Sequence, residues 1–210
     1  MHEEAIDKRT RDALKILTLK KNLLNDFYLA GGTALALELE HRVSYDLDFF
    51  SKKSFNAELL AAKLGAAKGF KLEKIDEGTI LGYLNGVKAE FFYYPYTLLS
   101  SLKKVLGVST ASIKDIGCMK ITAICQRGMK RDFIDLYFIL KKELTLDNLL
   151  ELYDKKYGKL AANKMHILKS LSYFSDADSE AMPRMIEKVE WEKVKKFLTD
   201  QVRVFFEKLS

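Results

Sequence analysis

Residues 44–50 are Ser44-Tyr45-Asp46-Leu47-Asp48-Phe49-Phe50, an apolar segment that holds two aspartates two positions apart. In an extended strand, side chains two positions apart point to the same side, with Cα atoms about 6 to 7 Å apart. The two carboxylates therefore repel each other. A Mg²⁺ ion, which takes oxygen ligands from one or two carboxylates plus phosphates, removes that conflict. Two solvated acids at a strand end are the alternative, and for an isolated Asp-x-Asp they are the commoner case.

A glycine pair precedes this segment and changes the balance between those two interpretations. Residues 27–30 form a short apolar run that predicts a buried strand, and Gly31-Gly32 follow it directly. Thr33 is the predicted N-cap of a helix that ends near Glu40. Glycines let a backbone approach a ligand closely, and a helix start offers N–H groups to an anion. We expect the aspartate strand to lie beside strand 27–30, which would place an anion-binding turn next to the two carboxylates.

Glu90 is a third candidate acid, because it lies in the apolar strand predicted over residues 87–93. It is either an outward-facing residue of an edge strand or a third ligand beside Asp46 and Asp48. In the second case the three acids hold one or two Mg²⁺ ions. Two metals roughly 4 Å apart activate an attacking hydroxyl and stabilise the leaving group of an in-line displacement.

The pattern along the chain predicts an α+β protein in two parts. Strands are predicted over residues 70–75, 79–84 and 87–93, and Asn85-Gly86 is a strong hairpin signal between the last two. Helices are predicted over residues 3–26, 33–40, 55–67, 112–128, 131–141, 146–157, 161–174 and 191–209, with a polar loop over 175–180. Ser112 and Asp115 predict a cap at the start of helix 112–128. The fold expected is a small mixed sheet flanked by helices over residues 1–108, followed by an all-helical half over 109–210 that completes an active-site cleft.

Composition and charge bear on the partners and the cellular location of the protein. The net charge of +6 on 210 residues is compatible with nucleotide or nucleic-acid partners. The chain has no apolar run near the roughly 18 residues that span a membrane, and its first residues lack the layout of a signal peptide. Cys118 and Cys125 fall on one predicted helix, about 10 Å apart and too far for a disulfide. We therefore expect a cytoplasmic protein with reduced thiols and no membrane partner.

The helical half carries its own charged candidates. Lys120 lies in an apolar helix, either as a surface lysine with a buried stem or as a cation aimed at a pocket. Arg127 follows on the same face, so a basic stripe is available to a triphosphate. Asp132 and Asp135 share one face near a helix start. They are either functional acids or a capping acid with an ion pair to Arg127 or Arg131.

A Gly-Gly turn, a short helix, Asp-x-Asp and a later strand acid resemble the nucleotidyltransferase fold of the polymerase β type. More narrowly, the chain resembles the AbiEii-type nucleotidyltransferase family, which includes toxins of toxin–antitoxin systems. The motifs that carry this resemblance are Gly31-Gly32-Thr33-Ala34-Leu35, His41-Arg42, residues 44–50, residues 115–124 and residues 127–137. Gly117 and Cys118 stand where alanines are expected in this family.

The resemblance implies Mg²⁺-dependent transfer of a nucleoside monophosphate from an NTP to an acceptor hydroxyl, with release of pyrophosphate. It implies an RNA acceptor, with the tRNA 3′ end as one candidate, and a cognate antitoxin as partner. The residues it assigns to nucleotide binding are Gly31, Gly32, Thr33, Ser44 and Lys120. The residues it assigns to catalysis are Asp46, Asp48, Glu90, Lys120 and one of the pair Asp132 and Asp135.

Two other classes of function share part of this pattern. A metal-dependent phosphohydrolase or a sugar transferase could use the same Asp-x-Asp, but the glycine turn ahead of it and Lys120 argue against both. A catalytically silent nucleotide- or RNA-binding module would keep the fold and lose an acid or the lysine. None of those residues is missing here.

Overall fold

The computed structural model describes residues 4–208, so the predicted helix ends at Glu3 and Leu209 lie outside the described range. The chain divides into two units. The sheet unit comprises Met1–Thr97 and Ser101–Ala111, and the helical unit comprises Leu98–Ser100 and Ser112–Ser210. The division after Ala111 falls three residues later than the boundary that we expected after residue 108.

A mixed sheet forms the centre of the sheet unit. Its strands are β1 (Tyr28–Ala30), β2 (Leu47–Ser51), β3 (Phe70–Asp76), β4 (Thr79–Leu84), β5 (Val87–Tyr93), β6 (Lys103–Val105) and β7 (Val108–Thr110). They lie in the order β3-β4-β5-β2-β1-β7-β6. The pairs β2–β5 and β1–β7 are parallel, and the other pairs are antiparallel. The predicted fold class and the predicted pairing of the aspartate strand with β1 are therefore confirmed.

The β4–β5 hairpin has the boundaries that the sequence predicts. Asn85 and Gly86 adopt φ angles of 51° and 82°, the left-handed pair that a tight two-residue hairpin turn requires. The β6–β7 hairpin was not predicted. Its strands are three residues long and β6 begins with Lys103-Lys104, so neither strand shows the apolar alternation that marks a longer strand.

The helices of the sheet unit are α1 (Lys8–Leu19), α2 (Gly31–Leu39) and α3 (Ala57–Gly65). Helix α1 is shorter than predicted. Helix α2 begins two residues before the predicted cap, with Ala30 at the N-cap position, so the prediction of Thr33 as the cap is wrong. The Thr33 hydroxyl instead donates a hydrogen bond to the carbonyl oxygen of Asp46, and no side chain caps the N-terminus of α2.

The helical unit contains α4 (Ile113–Gln126), α5 (Lys130–Lys142), α6 (Leu146–Tyr157), a 3₁₀ turn (Gly158–Leu160), α7 (Lys164–Leu171), α8 (Ser175–Asp178) and α9 (Trp191–Glu207). The Ser112 side chain caps α4 by accepting from Asp115 N, as predicted. The stretch predicted as a polar loop instead contains the short helix α8. Over residues 4–208, no helix is both long and apolar enough to cross a membrane.

Both cysteines lie on α4 and both are free thiols. Burial raises the pKa of the Cys118 thiol to about 12, and it also raises the pKa of the Cys125 thiol. These two side chains therefore act as small apolar residues of the helical unit rather than as nucleophiles.

Candidate active site

The two faces of β2 have different surroundings. Leu47 and Phe49 are fully buried on one face, where Phe49 stacks on Phe91 with ring centroids 5.0 Å apart. Asp48 alternates with them and lies half-buried on the opposite face. Its Cα pairs with Ala30 of β1 on one side and with Glu90 of β5 on the other. Directly paired residues share a face of the sheet, so Asp48 and Glu90 lie on the same face. Ala30, the partner of Asp48 on β1, immediately precedes the first residue of α2.

The first glycine of the pair lets the Asp48 carboxylate reach the start of α2. Gly31 has φ +66°, and a Cβ added to it would lie 2.5 Å from Asp48 Oδ2. No other residue would leave this space, and few L residues adopt this backbone conformation. The first backbone N–H groups of a helix have no partner within the helix. An anion bound by them would therefore lie next to the Asp48 carboxylate.

Thr33 and Ser44 hold Asp46 against α2. The Thr33 hydroxyl is fully buried, donates to Asp46 O, and lies 2.9 Å from Ser44 Oγ. Ser44 N in turn donates to Ala5 O at 2.9 Å. This network fixes the backbone from which the Asp46 side chain projects. The sequence predicted that Thr33 and Ser44 bind the nucleotide. In the structure the two hydroxyls contact each other in a buried position, and the Thr33 backbone N–H lies in the first turn of α2. Nucleotide binding by Thr33 or Ser44 stays a prediction.

The second glycine makes room for an arginine. A Cβ added to Gly32 would collide with Nη2 of Arg42 and lie 3.3 Å from Ser44 Oγ. Arg42 is 4% exposed and its Nη1 donates to Val43 O at 3.1 Å. A buried guanidinium therefore packs beside the first turn of α2. The sequence placed Arg42 in a family motif, and its contact with Gly32 depends on the fold.

Glu90 is oriented by a lysine of its own strand. Lys88 Nζ lies 2.7 Å from Glu90 Oε1, and the side chains are 39% and 11% exposed. The pKa of Lys88 is raised by its hydrogen bond to Glu90, against the effect of burial, and further by the charges of Glu90, Asp46 and Asp48. Among residues 4–208, no group of three or more His, Cys, Asp or Glu side chains is arranged to hold a metal. The Glu90 carboxylate pairs with Lys88, and a three-acid metal cage of Asp46, Asp48 and Glu90 stays a prediction.

The remaining donor set still fits a magnesium ion. Asp46 and Asp48 supply carboxylate oxygens, and Mg²⁺ is bound in proteins by one or two carboxylates together with substrate phosphates and water. The space over Gly31 brings the Asp48 carboxylate to the helix start, where phosphates would bind. A third acid is not required for this coordination.

Aromatic residues continue the acidic face of the sheet. Phe50 and Phe92, each two positions beyond an acid of this face, stack with ring centroids 5.3 Å apart. Tyr94 packs edge-on against Phe50 at 5.2 Å. Phe91 instead points into the core and is fully buried. The aromatic segment of β5 is therefore divided between the core and the face that carries Asp48 and Glu90.

In the helical unit, Lys120 forms ion pairs with Asp132 and Asp135, the two candidate aspartates of the sequence. Lys120 Nζ lies 2.8 Å from Asp132 Oδ1 and 2.6 Å from Asp135 Oδ2. The lysine is 5% exposed and both aspartates are fully buried. Asp132 lies in the first turn of α5, and Asp135 lies one turn further on. The lysine ammonium is thus held between two carboxylates of its own unit.

Arg127 completes this cluster from the surface. Its Nε lies 3.0 Å from Asp132 Oδ2, so the ion pair to Arg127, which the sequence left open as one alternative for Asp132, is present. Burial acts to raise the pKa of Asp132, but Lys120 and Arg127 outweigh it and hold that pKa below its ordinary value. Asp132 is therefore an ionised, doubly paired carboxylate at neutral pH.

A second buried ion pair in the helical unit was not predicted. Lys156 Nζ lies 2.8 Å from Asp115 Oδ1, and both side chains are fully buried. Asp115 also accepts from Ser112 Oγ at 2.6 Å and from Leu99 N at 3.0 Å. The sequence marked Asp115 only as part of a helix cap. Its partner is 41 residues away in the chain, so no local pattern reveals the pair.

Solved structures share this fold. A proposed nucleotidyltransferase from H. pylori is similar over 97% of both chains, with a TM-score of 0.56 and 22% identity. MenT4, a nucleotidyltransferase toxin from Mycobacterium tuberculosis H37Rv, is similar over 92% of this chain and 82% of its own, with a TM-score of 0.55 and 14% identity. The fold is that of a nucleotidyltransferase.

The sequence identifies the family. Residues 13–98 and 87–208 match the family described as nucleotidyl transferase AbiEii toxin, type IV TA system, and the chain belongs to it. A relative from Aquifex aeolicus (strain VF5), the uncharacterized protein aq_aa25, is 39% identical over 96% of this chain and 98% of its own length. The resemblance drawn from the motifs is thereby confirmed, and the protein is a nucleotidyltransferase of a toxin family.

Proposed function

We propose that this nucleotidyltransferase uses Mg²⁺ held by Asp46 and Asp48 to transfer a nucleoside monophosphate from an NTP to a hydroxyl of an RNA. The tRNA 3′ end is one candidate acceptor. We further propose that the protein acts as the toxin of a cytoplasmic toxin–antitoxin pair. The observation that carries the proposal is the contact between the Asp48 carboxylate and Gly31 at the start of α2.

That contact supports a separate role for each functional group at the start of α2. The N–H groups of the first turn of α2, from Gly31 to Thr33, bind the phosphates of the NTP. The Thr33 hydroxyl holds the backbone of Asp46, and the space over Gly31 holds the Asp48 carboxylate beside those phosphates. When bound, Mg²⁺ supplies charge neutralisation for the phosphates and for the pyrophosphate that leaves.

Glu90 is proposed as the acid that receives the proton of the acceptor hydroxyl. It lies on the same sheet face as Asp48, in the directly paired position of the neighbouring strand. Its side chain is only 11% exposed, and Lys88 fixes the direction of its carboxylate. If Glu90 has this role, Glu90→Gln reduces turnover about a hundredfold or more, the range that general bases contribute.

We propose a different role for Lys120 from the one that the sequence suggested. Its ammonium already binds Asp132 and Asp135, so its first role is to hold α4 and α5 together. Contact between Lys120 and the NTP phosphates stays a prediction, as does a catalytic role for Asp132 or Asp135. The net charge of +6 supports an RNA acceptor, because phosphate-backbone binding depends on an excess of basic residues.

The transfer reaction can be tested directly. The protein is incubated with Mg²⁺, total RNA and each NTP in turn, labelled at either the α- or the γ-phosphate. The proposal expects α-label to enter RNA from at least one NTP and γ-label to stay out, because pyrophosphate leaves. Label that enters protein instead of RNA, or γ-label that enters RNA, would contradict it.

A matched pair of variants ties that reaction to the site. Asp48→Asn removes a proposed metal ligand, and Asp76→Asn removes an exposed aspartate at the end of the edge strand β3 in the same unit. Asp48→Asn should retain less than about a tenth of the activity, a loss of roughly 1.4 kcal/mol of transition-state stabilisation. Asp76→Asn should retain activity. Induced expression should arrest bacterial growth with the wild-type protein and not with Asp48→Asn.

A further inference from the structure

Lys88 places a positive charge within the acidic face of the sheet. Its Nζ lies 2.7 Å from Glu90 Oε1, and Glu90 pairs across β5 and β2 with Asp48. The side chains of Lys88 and Glu90 share a face because they are two positions apart in a strand. The charges of Asp46 and Asp48 also act on Lys88, so its ammonium interacts with all three acids of the proposed metal site.

The Lys88 ammonium therefore acts on these acids as a bound cation would. Like charges close together repel, and a partner of opposite charge relieves that repulsion. Lys88 adds a positive charge beside these acids, and it holds Glu90 in an ion pair. Among residues 4–208, no group of three acids is arranged to hold a metal.

We propose that Lys88 competes with the divalent metal for the acidic face and thereby sets the metal affinity of the enzyme. The inference rests on the proposed metal site at Asp46 and Asp48. Metal bound there meets repulsion from the nearby ammonium, and Lys88 already occupies Glu90 Oε1, one of the two carboxylate oxygens that Glu90 could offer to the metal. Removal of the Lys88 charge should therefore tighten metal binding. If Lys88 only supported the fold of the site, its removal would weaken binding instead.

Edge strand β3 offers a matched control for the Lys88 variant. Lys74 and Asp76 form the same Lys-x-acid pattern there, with Lys74 Nζ 3.1 Å from Asp76 Oδ2 and both side chains exposed. Lys74→Gln and Lys88→Gln remove the same charge from the same unit. They differ in whether that charge lies beside Asp46 and Asp48.

The test is calorimetric titration of Mn²⁺, as a substitute for Mg²⁺, into the full chain without nucleotide. Lys88→Gln should bind Mn²⁺ about fivefold or more tightly than wild type, since a unit charge near a divalent ion matters even in a largely aqueous medium. Lys74→Gln should stay within about twofold of wild type, because exposed charges at a distance are screened. Equal affinities for Lys88→Gln and wild type, or weaker binding by Lys88→Gln, would overturn the proposal.

A double variant separates this inference from the proposed function. In Asp48→Asn/Lys88→Gln, the gain over Asp48→Asn alone should disappear, because the metal has lost a ligand. A gain that persists means that Mn²⁺ binds elsewhere and overturns the inference. If wild type and Lys88→Gln both fail to bind Mn²⁺ without nucleotide, the inference fails. Nucleotide transfer, measured separately, then decides whether the wider function survives.

Discussion

The Asp48 carboxylate occupies the space that a side chain on Gly31 would fill, with Oδ2 2.5 Å from the position of a Cβ. The glycine and the aspartate are thus one feature of the site, although they lie 17 positions apart in the sequence. Gly31 is therefore required for the space that it leaves to the carboxylate, and not only for its backbone conformation.

Gly31→Ala should abolish nucleotide transfer, because the new Cβ displaces the carboxylate that we propose as a metal ligand. It should also lower the free energy of unfolding by roughly 1–2 kcal/mol, the cost of an L residue in a left-handed conformation. Gly86→Ala is the control, since Gly86 has φ +82° and no atom within 4 Å of an added Cβ. Both variants should lose similar stability in urea titrations, and only Gly31→Ala should lose transfer. Retained transfer in Gly31→Ala would contradict the proposed role of Asp48.

Much of this unit follows from local sequence signals, and the rest depends on contacts between distant residues. The Asn85-Gly86 turn and the alternation in β4 and β5 predicted both strand boundaries. The spacing of Lys88 and Glu90 could also have been read as one ion pair on one face. By contrast, the space over Gly31 arises only when β1 and β2 pair, and no pattern within either segment contains it.

The same distinction applies to the helical unit. The sequence predicted the cap at Ser112, and it offered an ion pair with Arg127 or Arg131 as one alternative for Asp132. It left Lys120 as either a surface lysine with a buried stem or a cation aimed at a pocket, and the family resemblance assigned it to the nucleotide phosphates. Packing of α4 against α5 instead brings Lys120 between two buried carboxylates. Burial and partner are tertiary properties, so a lysine in an apolar helix could not be assigned from its neighbours alone.

Lys120→Met tests whether that lysine acts in chemistry or in stability. It leaves two buried carboxylates without their shared cation, which should cost about 3–5 kcal/mol in the free energy of unfolding. Lys156→Met breaks the other buried pair, with Asp115, and should cost a similar amount. Nucleotide affinity of the folded fraction, measured at low temperature by calorimetry, then separates the two roles. A loss of affinity confined to Lys120→Met supports phosphate binding, and equal affinities in both variants would assign Lys120 to the fold.

The two thiols of α4 should be inert in the folded protein. Burial raises the pKa of Cys118 to about 12, so almost none of it is thiolate at pH 8. The pKa of Cys125 is also raised by burial, and its side chain is more accessible than that of Cys118. In a thiol-labelling experiment, neither cysteine should react rapidly until urea is added, and Cys125 should react first. Fast labelling of Cys118 in native protein would show that α4 opens without global unfolding.

Acid should destabilise the helical unit through Asp132. Burial acts to raise its pKa, but Lys120 and Arg127 lower it below 3.8, so the folded state binds its proton less readily than the unfolded state. The stabilisation is therefore complete above the unfolded pKa and is lost as the pH falls through the lower, folded pKa. Asp132→Asn should be less stable than wild type at pH 7, and that difference should shrink as the pH falls below about 4. Urea titrations of both proteins across this range measure it. Asp178→Asn is the surface control, because Asp178 also has a lowered pKa but is exposed, and its smaller effect should fade with added salt. A wild-type advantage over Asp132→Asn that stayed constant down to the most acidic condition would mean that the charge of Asp132 contributes nothing to folding.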